Sequence, residues 1–140
     1  SHPSYGFQIG HGATSLTENW DGPVSGNSQN HFMLGHILEW FYTGLGGIEL
    51  DFSRSEVLVI EPHFETALDH VTCAWRSPAG RIESSWVRRG ADIVWTLEIP
   101  CGLKALIRFP KTWSAKADGR VLISGTHLES GRWTVNLSQA

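Results

Sequence analysis

The hydrophobic pattern changes its period once along the chain. From His31 to Thr43, Met33, Leu34, Ile37, Leu38 and Phe41 recur at spacings of one, three and four. That spacing predicts one amphipathic helix with a broad apolar stripe. Asn27, Ser28 and Asn30 stand just before it as cap candidates, and Gly44, Gly46 and Gly47 follow it as a stop. One such helix is not stable alone in water, so its stripe is expected to pack on something.

Beyond Gly47 the period is two. The run Val57–Pro62 reads as a short strand, Leu68–Trp75 follows, and Ser77–Gly80 reads as a turn. Ile82, Ser84 and Trp86 then alternate with Glu83, Ser85 and Val87. A second turn at Gly90–Asp92 leads to Ile93, Trp95, Leu97 and Ile99 on one face. "KALIRF", "RVLISG" and "RWTVNLS" continue the theme, the last with Trp133, Val135 and Leu137 on one side. About eight strands joined by Gly/Pro/Asp turns predict a mostly β protein, an antiparallel sandwich preceded by a short helical segment. The expected boundary gives 1–48 to the helical piece and 49–140 to the sandwich. Some 48 residues are too few for an independent helical domain, so they read as the tail end of a larger one.

Composition narrows the classes. Hydrophobic residues at 41% and charged residues at 18% suit a packed core rather than disorder. A net charge of -3 offers no basic footprint for nucleic acid or an anionic membrane, and no apolar run reaches the roughly 20 residues of a spanning helix. Cys73 and Cys101 lack the spacing of a metal site; the sequence leaves a structural pair open, and the expectation is two buried free thiols. The seven tryptophans suit sugar rings as well as cores, and core is the favoured reading for any single one. Trp113, in "PKTWSAKADG", is the one whose context favours exposure.

The candidate chemistry sits in "GATSLTENWDGP", Gly12 to Pro23. A lone loop glutamate such as Glu18 is usually solvated and inert. Here Gly10 and Gly12 permit close backbone approach, Trp20 offers an aromatic wall, and Asp21 supplies a second carboxylate. Asp21 reads equally well as a turn residue capping its own backbone in "WDGP". Asn30 and His31 read either as a cap and a packing residue or as a hydrogen-bonding pair beside the acid loop. No nucleophile elbow, phosphate loop or dinucleotide fingerprint is present.

Two ordered segments carry a resemblance. "PSYGFQIGHGATSLTENWDG" resembles the loop with the GATT-x-x-E-x-W-D motif at the end of the catalytic domain of α-L-rhamnosidases, glycoside hydrolase family 78. "SQNHFMLGHILEWFYTGLGGI" resembles the asparagine-histidine helix that follows it. "VLVIEP", "SPAGRIESSW" and "IP…FP" resemble, more loosely, the family's C-terminal β-sandwich.

The resemblance implies an (α/α)6 toroid, of which this chain holds the last helical segment, and hydrolysis of terminal α-L-rhamnose with inversion. It implies Glu18 as the base that activates water, Trp20 and Asp21 as shapers of the sugar subsite, and His31 near the rhamnose hydroxyls. It implies no metal and no cofactor. The implied partners are a rhamnose-containing carbohydrate and the remaining N-terminal part of the same enzyme, with a periplasmic or secreted parent preferred over a cytoplasmic one. The chain alone is expected to be inactive, and its uncovered helix face is expected to invite a homodimer. Two departures stand out. Thr17 occupies a position that is usually aromatic, which predicts a weaker sugar wall, and the Pro23–Gln29 segment is short. The alternative is a non-catalytic β-sandwich that binds carbohydrate or buttresses its neighbour.

Overall fold

Alternation becomes strand wherever the pattern is written most clearly. In the computed structural model, which describes residues 1–53 and 57–139, eleven strands run in chain order. They are β1 (Ile48–Leu50), β2 (Leu58–Ile60), β3 (His70–Val71), β4 (Ala74–Ser77), β5 (Gly80–Arg89), β6 (Asp92–Ile99), β7 (Ala105–Ile107), β8 (Trp113–Ala117), β9 (Arg120–Leu122), β10 (Thr126–Leu128) and β11 (Gly131–Gln139). Seven form one sheet, in the order β3-β5-β6-β11-β8-β9 with β4 also paired to β5, and four form a second, β1-β2-β7-β10. The described residues divide into two units, Ser1–Trp40 and Phe41–Ala140, and every strand lies in the second.

The sandwich core follows from the period-two faces. Ile82, Ser84 and Trp86 on β5 and Ile93, Trp95, Leu97 and Ile99 on β6 are all buried, while their alternating neighbours are not. The register sets Trp86 opposite Trp95. Each buried indole finds an acceptor: Trp95 Nε1 donates to Ser84 Oγ at 3.0 Å and Trp86 Nε1 to the Leu45 carbonyl at 3.1 Å. Ser84 is therefore a buried polar residue with a reason to be there. Phe64 packs edge-on against Trp86 and Trp95, at 5.7 and 5.9 Å between ring centroids. Arg88 fastens the loop that carries Phe64 by donating to the carbonyls of Phe64 and Glu65 at 3.1 and 3.0 Å. At Gly47 the chain turns with φ +69, and a Cβ there would lie 2.1 Å from the Pro62 nitrogen, so only glycine fits.

Several expectations are corrected. Strands number eleven rather than about eight, because Leu68–Trp75 splits into β3 and β4 and the sequence pattern does not reveal β1, β8 and β10. One pair is not antiparallel: β2 runs parallel to β7. Trp113 opens β8 and is half-buried, its ring 5.9 Å from Phe64. Only one thiol is buried. Burial raises the Cys73 thiol pKa above its usual range, whereas Cys101 is exposed in the turn after β6.

The helix expected over His31–Thr43 does not form as one piece. Residues 32–36 are bend and turn, α3 covers only Ile37–Trp40, and a π-helical turn occupies Phe41–Leu45. Gly35 interrupts the run and costs helix propensity of about 1 kcal/mol. The hydrophobic stripe supplies little compensation, since Met33 and Leu38 are 56% and 59% exposed. The first unit is otherwise loop around two short helices, α1 (Tyr5–Gly10) and α2 (Gly22–Ser25). Ser4 caps α1, its Oγ accepting from the Phe7 amide at 3.0 Å.

Candidate active site

The acid loop is held by its backbone. The Glu18 amide donates to the Ser28 carbonyl at 3.0 Å, and the His31 amide donates to the Leu16 carbonyl at 2.8 Å. Residues 16–18 therefore run beside residues 28–31, which brings the Glu18 and His31 segments together although they lie far apart in sequence. Ser15 Oγ donates to the Gln29 carbonyl, and the Gln29 side chain donates to the Gly22 carbonyl, so the short Pro23–Gln29 segment is laced to both sides of the loop.

Glu18 itself is exposed, and among the described residues no hydrogen bond or ion pair holds its carboxylate. Trp20 is half-buried, its ring edge-on to Tyr5 at 5.0 Å, and Tyr5 Oη donates to the Leu34 carbonyl at 2.5 Å. Asp21 sits at the N-cap of α2, where its carbonyl accepts from the Val24 and Ser25 amides at 2.9 and 2.8 Å. Its side chain does not cap, contrary to the turn reading. The carboxylate meets His2 Nε2 at 2.5 Å instead. His31 stacks on Phe32 with centroids 5.1 Å apart and accepts the Met33 amide on Nδ1 at 3.2 Å. The reading of Asn30 and His31 as a helix start falls with the helix.

The position beside the acid is not on the surface: Thr17 is fully buried and faces the interior of its unit. Its Cβ lies so close to Gly22 that a methyl group at Gly22 would approach it to 2.4 Å. Thr17 and Gln8 are the two buried polar side chains of the first unit. The hydrophobic pattern assigns no part to Gln8 or to Tyr5. The signal for Gln8 lies in its place, an amide between Phe7 and Ile9 in an otherwise apolar stretch. Among the described residues no group of three or more His, Cys, Asp or Glu is disposed to hold a metal ion, and no helix is long and apolar enough to cross a membrane.

Comparison with known proteins gives a consistent picture. Residues 1–45 match the bacterial alpha-L-rhamnosidase 6 hairpin glycosidase domain, and residues 56–121 match the bacterial alpha-L-rhamnosidase C-terminal domain. An alpha-L-rhamnosidase of Formosa agariphila is 27% identical across 92% of this chain, and one of Streptomyces avermitilis is 28% identical across 77%. The chain spans only 15% and 11% of those relatives. In fold it resembles the alpha-L-rhamnosidase from Dictyoglumus thermophilum, with a TM-score of 0.82, 21% identity, 99% of this chain and 18% of that one. It also resembles the Streptomyces avermitilis alpha-L-rhamnosidase solved with L-rhamnose, with a TM-score of 0.78, 23% identity, 97% of this chain and 15% of that one.

Proposed function

Because this chain carries the C-terminal part of an alpha-L-rhamnosidase, consistent with glycoside hydrolase family 78, we propose that it supplies one side of the active site of a larger inverting glycosidase that removes terminal α-L-rhamnose. In this reading residues 1–48 end the helical catalytic domain and residues 49–140 are its C-terminal sandwich. The observation that carries the reading is the match of residues 1–45 to a glycosidase domain, together with an exposed Glu18 carboxylate on a loop anchored at both ends by backbone hydrogen bonds.

Inversion needs two carboxyl groups about 6.5–9.5 Å apart, with a water between the base and the anomeric carbon. Glu18 takes the proton of that water as it attacks, and an acid on the opposite face of the ring protonates the departing oxygen. Asp21, three residues away and engaged with His2, is poorly placed to be that acid. The acid belongs to the rest of the enzyme. Trp20 offers the sugar an apolar face, while Asp21 and His31 offer hydroxyl partners.

The sandwich acts as a buttress rather than a sugar platform. Trp86 and Trp95 are fully buried, Trp113 and Trp133 are half-buried, and Trp75 is exposed at only 38%, so no row of open indoles is available for stacking.

Hydrolysis of an aryl α-L-rhamnoside tests the proposal. The chain alone gives no turnover, and in the full-length enzyme Glu18→Gln lowers kcat by about a hundredfold or more. Turnover by the isolated chain that Glu18→Gln abolishes would overturn the incompleteness. Undiminished kcat in the full-length variant would overturn the base.

A further inference from the structure

The peptide between Asn19 and Trp20 is gripped more firmly than its surroundings. Three donors converge on the Asn19 carbonyl: Thr17 Oγ1 at 2.7 Å, Gln8 Nε2 at 3.0 Å and the Gly22 amide at 3.0 Å. A carbonyl oxygen has two lone pairs, so this acceptor is saturated. Two of the donors are the only buried polar side chains of the first unit, and buried donors that lose their acceptor are costly. The third closes a turn through Asp21. Gly22 must lack a side chain because Thr17 fills the space where a Cβ would stand. Gln8 comes from α1, so the contact also ties that helix to the loop.

From this convergence we infer that Gln8 and Thr17 are positioning residues that fix the direction of the Glu18 carboxylate. The inference rests on the proposed role of Glu18. Asn19 follows Glu18 directly, and Thr17 precedes it. With the residue on one side buried and the carbonyl on the other locked, the Glu18 backbone has little freedom left. Its side chain must therefore project from a fixed base, on the exposed side. A general base has to hold its water within hydrogen-bond reach of the reacting carbon, and small displacements lower the rate steeply. The polar pair does by hydrogen bonding what an apolar pair would do by packing, which is why a threonine can occupy the buried position before the acid.

In the full-length enzyme, Thr17→Val keeps the shape and removes the donor. It is expected to lower kcat about tenfold to a hundredfold with KM within twofold, and Thr17→Ser is expected to restore most of the loss. Gln8→Leu behaves as Thr17→Val does. Wild-type kcat in both Thr17→Val and Gln8→Leu would overturn the inference, and so would a Thr17→Ser enzyme as slow as Thr17→Val. A full-length Glu18→Gln enzyme with undiminished kcat would strike the base assignment instead. The clamp is then read in the full-length enzyme by amide hydrogen exchange. Thr17→Val speeds exchange of the Gly22 amide about tenfold and Thr17→Ser does not. Unchanged Gly22 exchange in Thr17→Val would overturn the clamp itself.

Discussion

The two units of this chain are built on opposite logics. Among the described residues, Phe41–Ala140 contains every buried hydrophobic side chain, from Ile48 through Leu137, and Ser1–Trp40 contains none. The buried residues of the first unit are Gln8, Thr17 and Gly22, while Ile9, Val24, Phe32, Met33 and Leu38 are exposed. The second unit is stabilised by removing apolar surface from water, the main driving force of folding. The first is organised by hydrogen bonds, whose net contribution is modest in water. It carries hydrophobic surface but no apolar interior. The lesson is that a chain can hold a recognisable family motif in a segment that lacks an apolar interior of its own.

The sharpest way to break this contrast is to cut it. Residues 41–140 alone are expected to unfold cooperatively in urea, and residues 1–40 alone are expected to show no cooperative transition by circular dichroism. A cooperative transition in the shorter piece would refute the contrast outright. The next effect is local. Trp95→Ala should cost about 3–5 kcal/mol in denaturant titrations, and Ser84→Ala about 1–3 kcal/mol, because it strands the buried indole N–H. Phe32→Ala in the first unit should change stability by less than about 0.5 kcal/mol. An equal cost at Phe32 and Trp95 would mean that the first unit has an apolar interior after all.

The smallest effect concerns the surface of the second unit. Arg81 donates to Glu83 and to Glu98, and Arg132 reaches Glu98 at 3.2 Å. The hydrogen bond from Arg81 holds the Glu83 carboxyl below its usual pKa. A carboxyl lowered on folding stabilises above the ordinary carboxylate range, and that contribution disappears as pH falls through the lowered value. The urea midpoint should therefore drop below about pH 4 more in the wild type than in Glu83→Gln. Parallel pH profiles for the two would show that the network contributes nothing, a common outcome for exposed pairs.

The legibility of the sequence divides along the same line. β5, β6 and β11 could be read because Ile82, Trp86, Ile93, Trp95, Leu97, Val135 and Leu137 are large and alternate strictly. β8 alternates too, but its inward residues after Trp113 are Ala115 and Ala117, and alanine is a poor strand signal. β1 and β10 are three residues each, too short to show a period, whereas β2 and β7, equally short, are legible as the apolar runs "VLVI" and "ALI". The helix failed for the opposite reason. Met33, Leu34, Ile37 and Leu38 spell an amphipathic stripe, but a stripe predicts a helix only where something covers it. At the loop, residue types singled out Glu18, Trp20, Asp21 and His31. They could not show that Thr17 points inward, nor that Gln8 reaches Asn19, because neither follows from a period.

The parallel pairing of β2 with β7 also sets an order of events. Leu58 lies opposite Ala105, and β3 to β6 lie between them in the chain. Hairpins such as β5–β6 can close locally as soon as both arms exist, whereas β2 must wait for a partner from far downstream. During synthesis its second edge stays open until residue 107 has emerged. The larger sheet closes later still, when β11 emerges between β6 and β8, but β2 waits across more of the chain for its second partner and is the strand most exposed to pairing with the wrong neighbour in the meantime.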